Sequence, residues 1–437
     1  MASVKGIARR LAARAEAFLK GMAFDCRACG QCMLSQTGLI CPMSCPKGLR
    51  NGPCGGTVDG LCEVYPDRQC VWVRIHARTA KDGPDTPNLN PSPDAALYFT
   101  SSYGNWIKGQ DGPGTTPLAY LNLPSPRTVQ PLATKSRLEA TFKSGRFVKT
   151  CEIRSPRHAD FARLDKEIRL IQGHFDAVNA TAYLNGKPSL PAARSCIELM
   201  RFGMEPICQL TCRDLTKTSF ISELIANDAN DIHNVLCLTG DSYAGNPRIK
   251  QVFDMDSSLM VYEARHLRET GVIHFTGEAM KAAPRPYIGV AINPFTTPVD
   301  VPIRRLKQKA AAGADFIQTQ LIFNLPAFEA FMRRYCEEGL DRKMFLLAGV
   351  PVVIAKGAME MIPRVPGVDY PLAVRKRLEA AADLRREGCC LARETVEAVS
   401  RMPGVSGVHL MLFGADHSVL PDIIGGFGMA PGNEQVG

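Results

Sequence analysis

The spacing of hydrophobic positions changes character twice along the chain. Over residues 4–22 (VKGIARRLAARAEAFLKGM), Ile7, Leu11, Ala15, Phe18 and Met22 recur at helical spacing, with Arg and Lys on the opposite side. The pattern predicts an amphipathic helix packed on its own protein; a membrane-surface helix or transit peptide is the alternative. Residues 26–70 are rich in Cys, Gly and Pro and carry no long period. Residues 81–133, from DGPDTPNLNPSP to LNLPSPRTVQP, suit neither helix nor strand and predict an extended linker. Its aromatics Tyr98, Phe99, Tyr103 and Trp106 are candidate anchors, or candidate partner contacts.

From residue 134 onward, short β-rich runs alternate with amphipathic helical stretches. The strand candidates are 147–153, 176–181, 205–212, 234–240, 287–292, 316–321, 343–350 and 405–412. Such alternation implies parallel strands with right-handed crossovers. Eight units over about 300 residues fit a (β/α)8 TIM barrel better than an open sheet. The predicted organisation is an N-terminal helix plus Cys-rich module (1–80), the linker (81–133) and the barrel (134–437). In such barrels the chemistry sits where strands end at the C-terminal face.

Composition narrows the classes. A 437-residue chain with 45% hydrophobic and 22% charged residues is neither disordered nor collagen-like. No apolar run reaches the roughly 18 residues of a membrane helix. The net charge of +9 comes without a dense Lys/Arg block, so it suits an anionic ligand rather than nucleic acid. Sixteen cysteines are present, and eight fall between residues 26 and 70 with no secretory signal ahead of them. A cytoplasmic protein with bound metal is the expectation, not a disulfide framework. Most of the other eight are expected to be small buried hydrophobes.

At the strand ends, Glu152 closes the first candidate strand; a carboxylate at a barrel mouth is partly desolvated, which suits it to proton transfer near neutral pH. An ion pair with Arg154 or Arg157 is the plainer alternative. Thr181, Gln209 and Thr211 offer neutral hydrogen bonds to a flat heteroaromatic ligand. Leu238, Thr239, Gly240 and Asp241 follow the fourth strand, where Gly240 permits a turn and close ligand approach. Gln320 can both donate and accept, and Lys309 could meet a phosphate. No GxGxxG or GxxxxGK[ST] opens a strand–helix unit, so a Rossmann or P-loop site is unsupported.

FVKTCEIRSPR, EPICQLTCRD, NVLCLTGD, VFDMDS, INPF and GADFIQTQLIF together resemble the methylenetetrahydrofolate reductase family, over nearly all of 145–415. The resemblance implies a flavin-binding barrel interconverting methylene- and methyltetrahydrofolate, with the oxidative direction, in methyl-group catabolism, open alongside the reductive one. Carried over, Glu152 is the general acid that protonates folate N10. Asp241 is the carboxylate at the pterin beside the flavin, and Gln320 hydrogen-bonds the pterin. Thr181, Gln209, Leu238, Thr239, Gly240 and Lys309 fall where the family contacts flavin. The family's Asp, Asn and Arg contacts on the helix before strand six are here Pro302, Arg305 and Gln308, which leaves FAD and FMN both open. GVPVVIAKGAM has no clear counterpart of the nicotinamide-stacking aromatic, so the donor is NAD(P)H or an electron-transfer partner protein. A homo-oligomer is expected. The rival functions are a flavin-free pterin-binding methyltransferase and a scaffold that recruits an electron-transfer partner.

CRACGQC…CPMSCPKGLRNGPCGGTVDGLCEV…CVW resembles the cysteine-rich partner subunit of acetogen reductases of this family, here fused ahead of the barrel. Cys26, Cys29 and Cys32 have the C-x2-C-x2-C spacing common among [4Fe–4S] ligands. With Cys41, Cys45, Cys54, Cys62 and Cys70 they make eight thiols, enough for two iron–sulfur clusters or two all-thiolate zinc sites.

Overall fold

The computed structural model describes residues 4–79, 89–107, 134–183, 186–243, 246 and 248–425. Eight parallel strands close a barrel: β1 (Val148–Ile153), β2 (Ala177–Ala180), β3 (Pro206–Thr211), β4 (Asn234–Leu238), β5 (Tyr287–Ile292), β6 (Phe316–Leu321), β7 (Phe345–Val353) and β8 (Val405–Phe413). Each pairs with its sequence neighbours, and β1 closes on β8 with Val148 opposite Gly407. All eight fall where the apolar runs predict them. The long crossover between β4 and β5 adds a two-residue antiparallel hairpin, Val272–Ile273 with Glu278–Ala279, too short to register as a pattern.

The N-terminal end of the barrel is plugged. Ser136 caps helix Arg137–Lys143, its side chain accepting from Glu139 N, and the helix drives Leu138 and Phe142 under the strand starts. Phe142 stacks on Phe345 at 4.6 Å, beside a Tyr287–Phe316 stack at 5.3 Å. Gly289 leaves room for the latter, since a Cβ there would lie 2.3 Å from the Phe316 ring. A ligand must therefore enter from the strand C-termini.

That end is where the N-terminal module docks. Asn51, buried, is the hub. Its Nδ2 donates to Asn90 O (2.9 Å) and to Asp256 Oδ2 (2.6 Å), and its Oδ1 accepts from Asn90 N (2.5 Å). Its carbonyl accepts from Arg305 Nη1 at 2.6 Å. Asp256 is also the N-cap of helix Ser257–Thr270, accepting from Ser258 and Leu259 N–H groups. One side chain thus joins module, connector and barrel.

Helix α1 (Val4–Phe24) forms as predicted, but its apolar side does not pack on the protein: Ile7, Leu11, Phe18, Leu19 and Met22 are exposed. It is held instead through Glu16, which pairs with Lys20 and accepts from Ser101 and Ser102. The connector also departs from expectation. Phe99 and Tyr103 are exposed, whereas Leu89, Asn90 and Asn105 are the buried anchors. The Trp106 side chain, like 80–88 and 108–133, lies outside the described residues. Among the described residues no helix is long and apolar enough to cross a membrane. Of the scattered cysteines, Cys151, Cys196, Cys208, Cys212 and Cys237 are buried in the barrel; Cys336, Cys389 and Cys390 are half-buried.

Candidate functional site

A single cavity occupies the C-terminal mouth, with ≈ 1230 Å³ of space including its open side. Glu152 reaches it from β1, Gln209 and Thr211 from β3, Leu238, Thr239, Gly240 and Asp241 from the end of β4, Gln320 from β6, and Lys309 from helix Asp300–Ala312. Alternation along parallel strands explains the convergence, because every second residue points inward. Thr181 is the one candidate absent from the cavity wall. Its hydroxyl accepts from Ser155 N at 3.4 Å and its carbonyl accepts from Ser155 Oγ at 2.9 Å, so it fastens the β1–α turn while Ala182 and Tyr183 line the wall.

Glu152 has a neighbour that the strand-end reading did not single out. His409 Nε2 lies 3.9 Å from Glu152 Oε2, and His409 Nδ1 is 2.9 Å from Thr150 Oγ1. Thr150 Oγ1 lies between Val408 O (3.2 Å) and His409 Nδ1, which fixes the ring so that Nε2 faces Glu152. The sequence signal was available: His409 and Met411 alternate on β8, and both face the cavity.

Asp241 is exposed on the open cavity, although protein walls crowd its carboxyl closely enough to desolvate it in part. That desolvation, then the Glu63 carboxylate, raises its pKa above the usual carboxylate value, against the opposing pull of Lys47 and Arg213. Gly240 adopts φ +85°, as a tight turn requires, but the close approach it permits is to Arg213: a Cβ would lie 2.9 Å from Arg213 Cβ. Arg213, the R of QLTCRD, was missed as a site residue. It donates to Asp241 O (3.1 Å) and Tyr183 O (2.6 Å) and stacks over Tyr243. Gln320 is held at both ends, donating to Pro366 O and accepting from Leu321 N, each at 3.0 Å. Deeper in, Gln318 and Asn179 exchange amide hydrogen bonds across the barrel.

Two buried cations line one wall. Lys309 Nζ donates to Ala291 O at 2.6 Å, and burial, then Arg305, pulls its pKa down to about 7. Arg305 Nε is buried with no hydrogen-bond partner. The positive charge of Arg305 and Lys309 along this wall fits an anionic group such as a phosphate. Pro302 also lines this wall, consistent with its place on the same helix.

The module contributes Pro53, Cys54, Gly55 and Gly56 to the cavity rim. Its eight cysteines fall into two groups: Cys26, Cys29, Cys32 and Cys41 border one cavity, and Cys45, Cys54, Cys62 and Cys70 border another. Among the described residues, no three Cys, His, Asp or Glu side chains are arranged so that they could hold a metal ion. Backbone amides do point at two of the sulfurs, Ala28 N to Cys26 (3.4 Å) and Gly56 N to Cys54 (3.5 Å). Cys26 and Cys41 share a hydrogen bond that lowers the pKa of the Cys41 thiol and raises that of Cys26.

With this geometry in view, the comparisons fall into place. A family model described as methylenetetrahydrofolate reductase matches residues 137–424, the whole barrel. The chain belongs to the methylenetetrahydrofolate reductase family. A second family model, described as methylene-tetrahydrofolate reductase C terminal, matches residues 7–91, which here precede the barrel. Methylenetetrahydrofolate reductase 2 of Schizosaccharomyces pombe is 25% identical over 181 residues, covering 40% of this chain and 28% of that protein. Among solved structures, an uncharacterized Clostridium thermocellum protein that binds two copies of 5-methyl-5,6,7,8-tetrahydrofolic acid aligns with 13% identity and TM-score 0.49, over 66% of this chain and 99% of its own. DmoA from Hyphomicrobium sulfonivorans aligns with 10% identity and TM-score 0.39, over 64% and 86%.

Proposed function

We propose that this chain interconverts 5,10-methylenetetrahydrofolate and 5-methyltetrahydrofolate at the barrel mouth, with a flavin as the bound redox cofactor. The observation that supports this most is the meeting of Glu152, Asp241 and Gln320, from three different strands, in one cavity of a family barrel. Glu152 protonates N10 of the folate so that the five-membered ring opens to an iminium, and His409 is placed to exchange that proton. Asp241 and Gln320 fix the pterin edge. The same groups serve both directions by microscopic reversibility.

Arg305 and the buried Lys309 supply positive charge for the phosphate of a flavin, with Gln209, Leu238, Thr239 and Gly240 along its ring. A flavin bound there would supply the hydride chemistry, and the protein orients and protonates.

Residues 1–80 are a metal module resembling the acetogen partner subunit, joined through 81–133 to the barrel at 134–437. Its thiols divide as 26/29/32/41 and 45/54/62/70, the candidate ligand sets for iron–sulfur clusters or zinc sites. The electron donor is NAD(P)H or a partner protein.

Anaerobic purification with an absorption spectrum and metal analysis tests both parts. Flavin bands with iron or zinc are expected. A colourless protein that fails to bind 5-methyltetrahydrofolate would overturn the proposal.

A further inference from the structure

The loop that carries Asp241 is held by the N-terminal module as well as by the barrel. Beyond β4 the sheet's own bonding ends with Arg213 N donating to Thr239 O. Lys47 Nζ donates to Gly240 O at 2.8 Å, and Glu63 Oε1 accepts from Ser242 N at 3.0 Å. These bonds land on the residues immediately before and after Asp241. Lys47 and Glu63 pair with each other, with side chains only 3% and 5% exposed. A buried pair in this setting holds its geometry, because either partner alone would be an uncompensated charge.

Two glycine-linked details show that the grip is built in. A Cβ on Gly56 would fall 1.5 Å from Glu63 Oε2, so the carboxylate occupies the space that a side chain would need. Gly55 O accepts from Asn293 Nδ2 at 2.7 Å, which seats the same turn on the loop after β5.

We propose that Lys47 and Glu63 are positioning residues for folate: the module completes the binding site by fixing the backbone on both sides of Asp241. Without them, Gly240 O and Ser242 N lose these partners while the Arg213 bond to Asp241 O remains, and the carboxylate samples orientations that miss the pterin. This inference rests on the folate reading of the cavity.

The test measures 5-methyltetrahydrofolate affinity by calorimetry, and the split between KM and kcat, on the full-length holoprotein. Glu63→Ala is expected to weaken binding at least tenfold with kcat within threefold of wild type. Gly56→Ala should do the same, by displacing the carboxylate. Glu63→Gln, which retains an acceptor for Ser242 N but leaves Lys47 without its counter-charge, should recover part of the affinity that Glu63→Ala loses. If Glu63→Ala does not fold, the double variant Lys47→Met/Glu63→Leu replaces the pair with apolar groups and should fold with the same loss of affinity. Unchanged affinity in a folded variant lacking the pair overturns the inference, as does failure of Glu63→Gln to outperform Glu63→Ala. Asp241→Asn separates the two levels. If it leaves affinity intact, the folate reading fails and takes the inference with it; if it weakens binding while loss of Glu63 does not, the inference alone fails.

Discussion

Asn51 offers a sharp test of how the module is attached. Asn51→Ala removes three side-chain hydrogen bonds and leaves Asn90 N–H, Asn90 C=O and one Asp256 oxygen without that partner in a buried setting. At roughly 1 kcal/mol for each neutral bond and about 1.5–3 for the one to a carboxylate, the loss is on the order of 4 kcal/mol, less what water can recover in the space vacated. Asn51→Asp is nearly isosteric but puts a second carboxylate oxygen 2.6 Å from Asp256 in place of a donor. It should be at least as damaging as alanine. Denaturant unfolding followed by fluorescence, with limited proteolysis of residues 1–80, reads both variants against wild type. The module should release before the barrel unfolds. A midpoint unchanged in Asn51→Ala, or an Asn51→Asp variant as stable as wild type, would refute the hub.

Lys309 gives a pH prediction. Its free-protein pKa is about 7, and a bound phosphate raises it, so binding takes up a proton above that pH. Affinity for FMN or FAD should therefore be flat with pH just below 7 and fall by up to about tenfold per unit above it; Lys309→Met should be weaker and lose that slope. Titrations in buffers of different ionisation heats check the proton uptake directly. His409→Leu keeps the volume but removes the imidazole beside Glu152; kcat should fall about tenfold or more with folate affinity retained, and an unchanged kcat would exclude His409 from proton exchange.

The barrel was legible because strands buried on both faces read as short β-rich runs, and each space between the first seven holds one α-helix, with three before the last strand. Strand ends then brought Glu152, Asp241 and Gln320 to one mouth without knowledge of any long-range contact. What was not legible depends on partners far apart in sequence. Lys47 and Gly240, or Asn51 and Asp256, are about two hundred residues apart, and no local period marks them. Periodicity also says which side of a helix is apolar, not what covers it, so α1 was expected to pack and instead leaves Met22 75% exposed. Thr181 shows the converse limit. A strand-end position identifies a site at the resolution of a turn, and one residue further along was enough to exchange cavity wall for turn fastening.

The most direct measurement is the turnover of 5,10-methylenetetrahydrofolate by the Glu152→Gln holoprotein, with folate affinity measured alongside. Removing a positioned proton donor while keeping its shape should lower kcat by about a hundredfold or more and leave binding within a fewfold of wild type. Turnover at the wild-type rate would contradict the assignment of the barrel mouth as the reacting site.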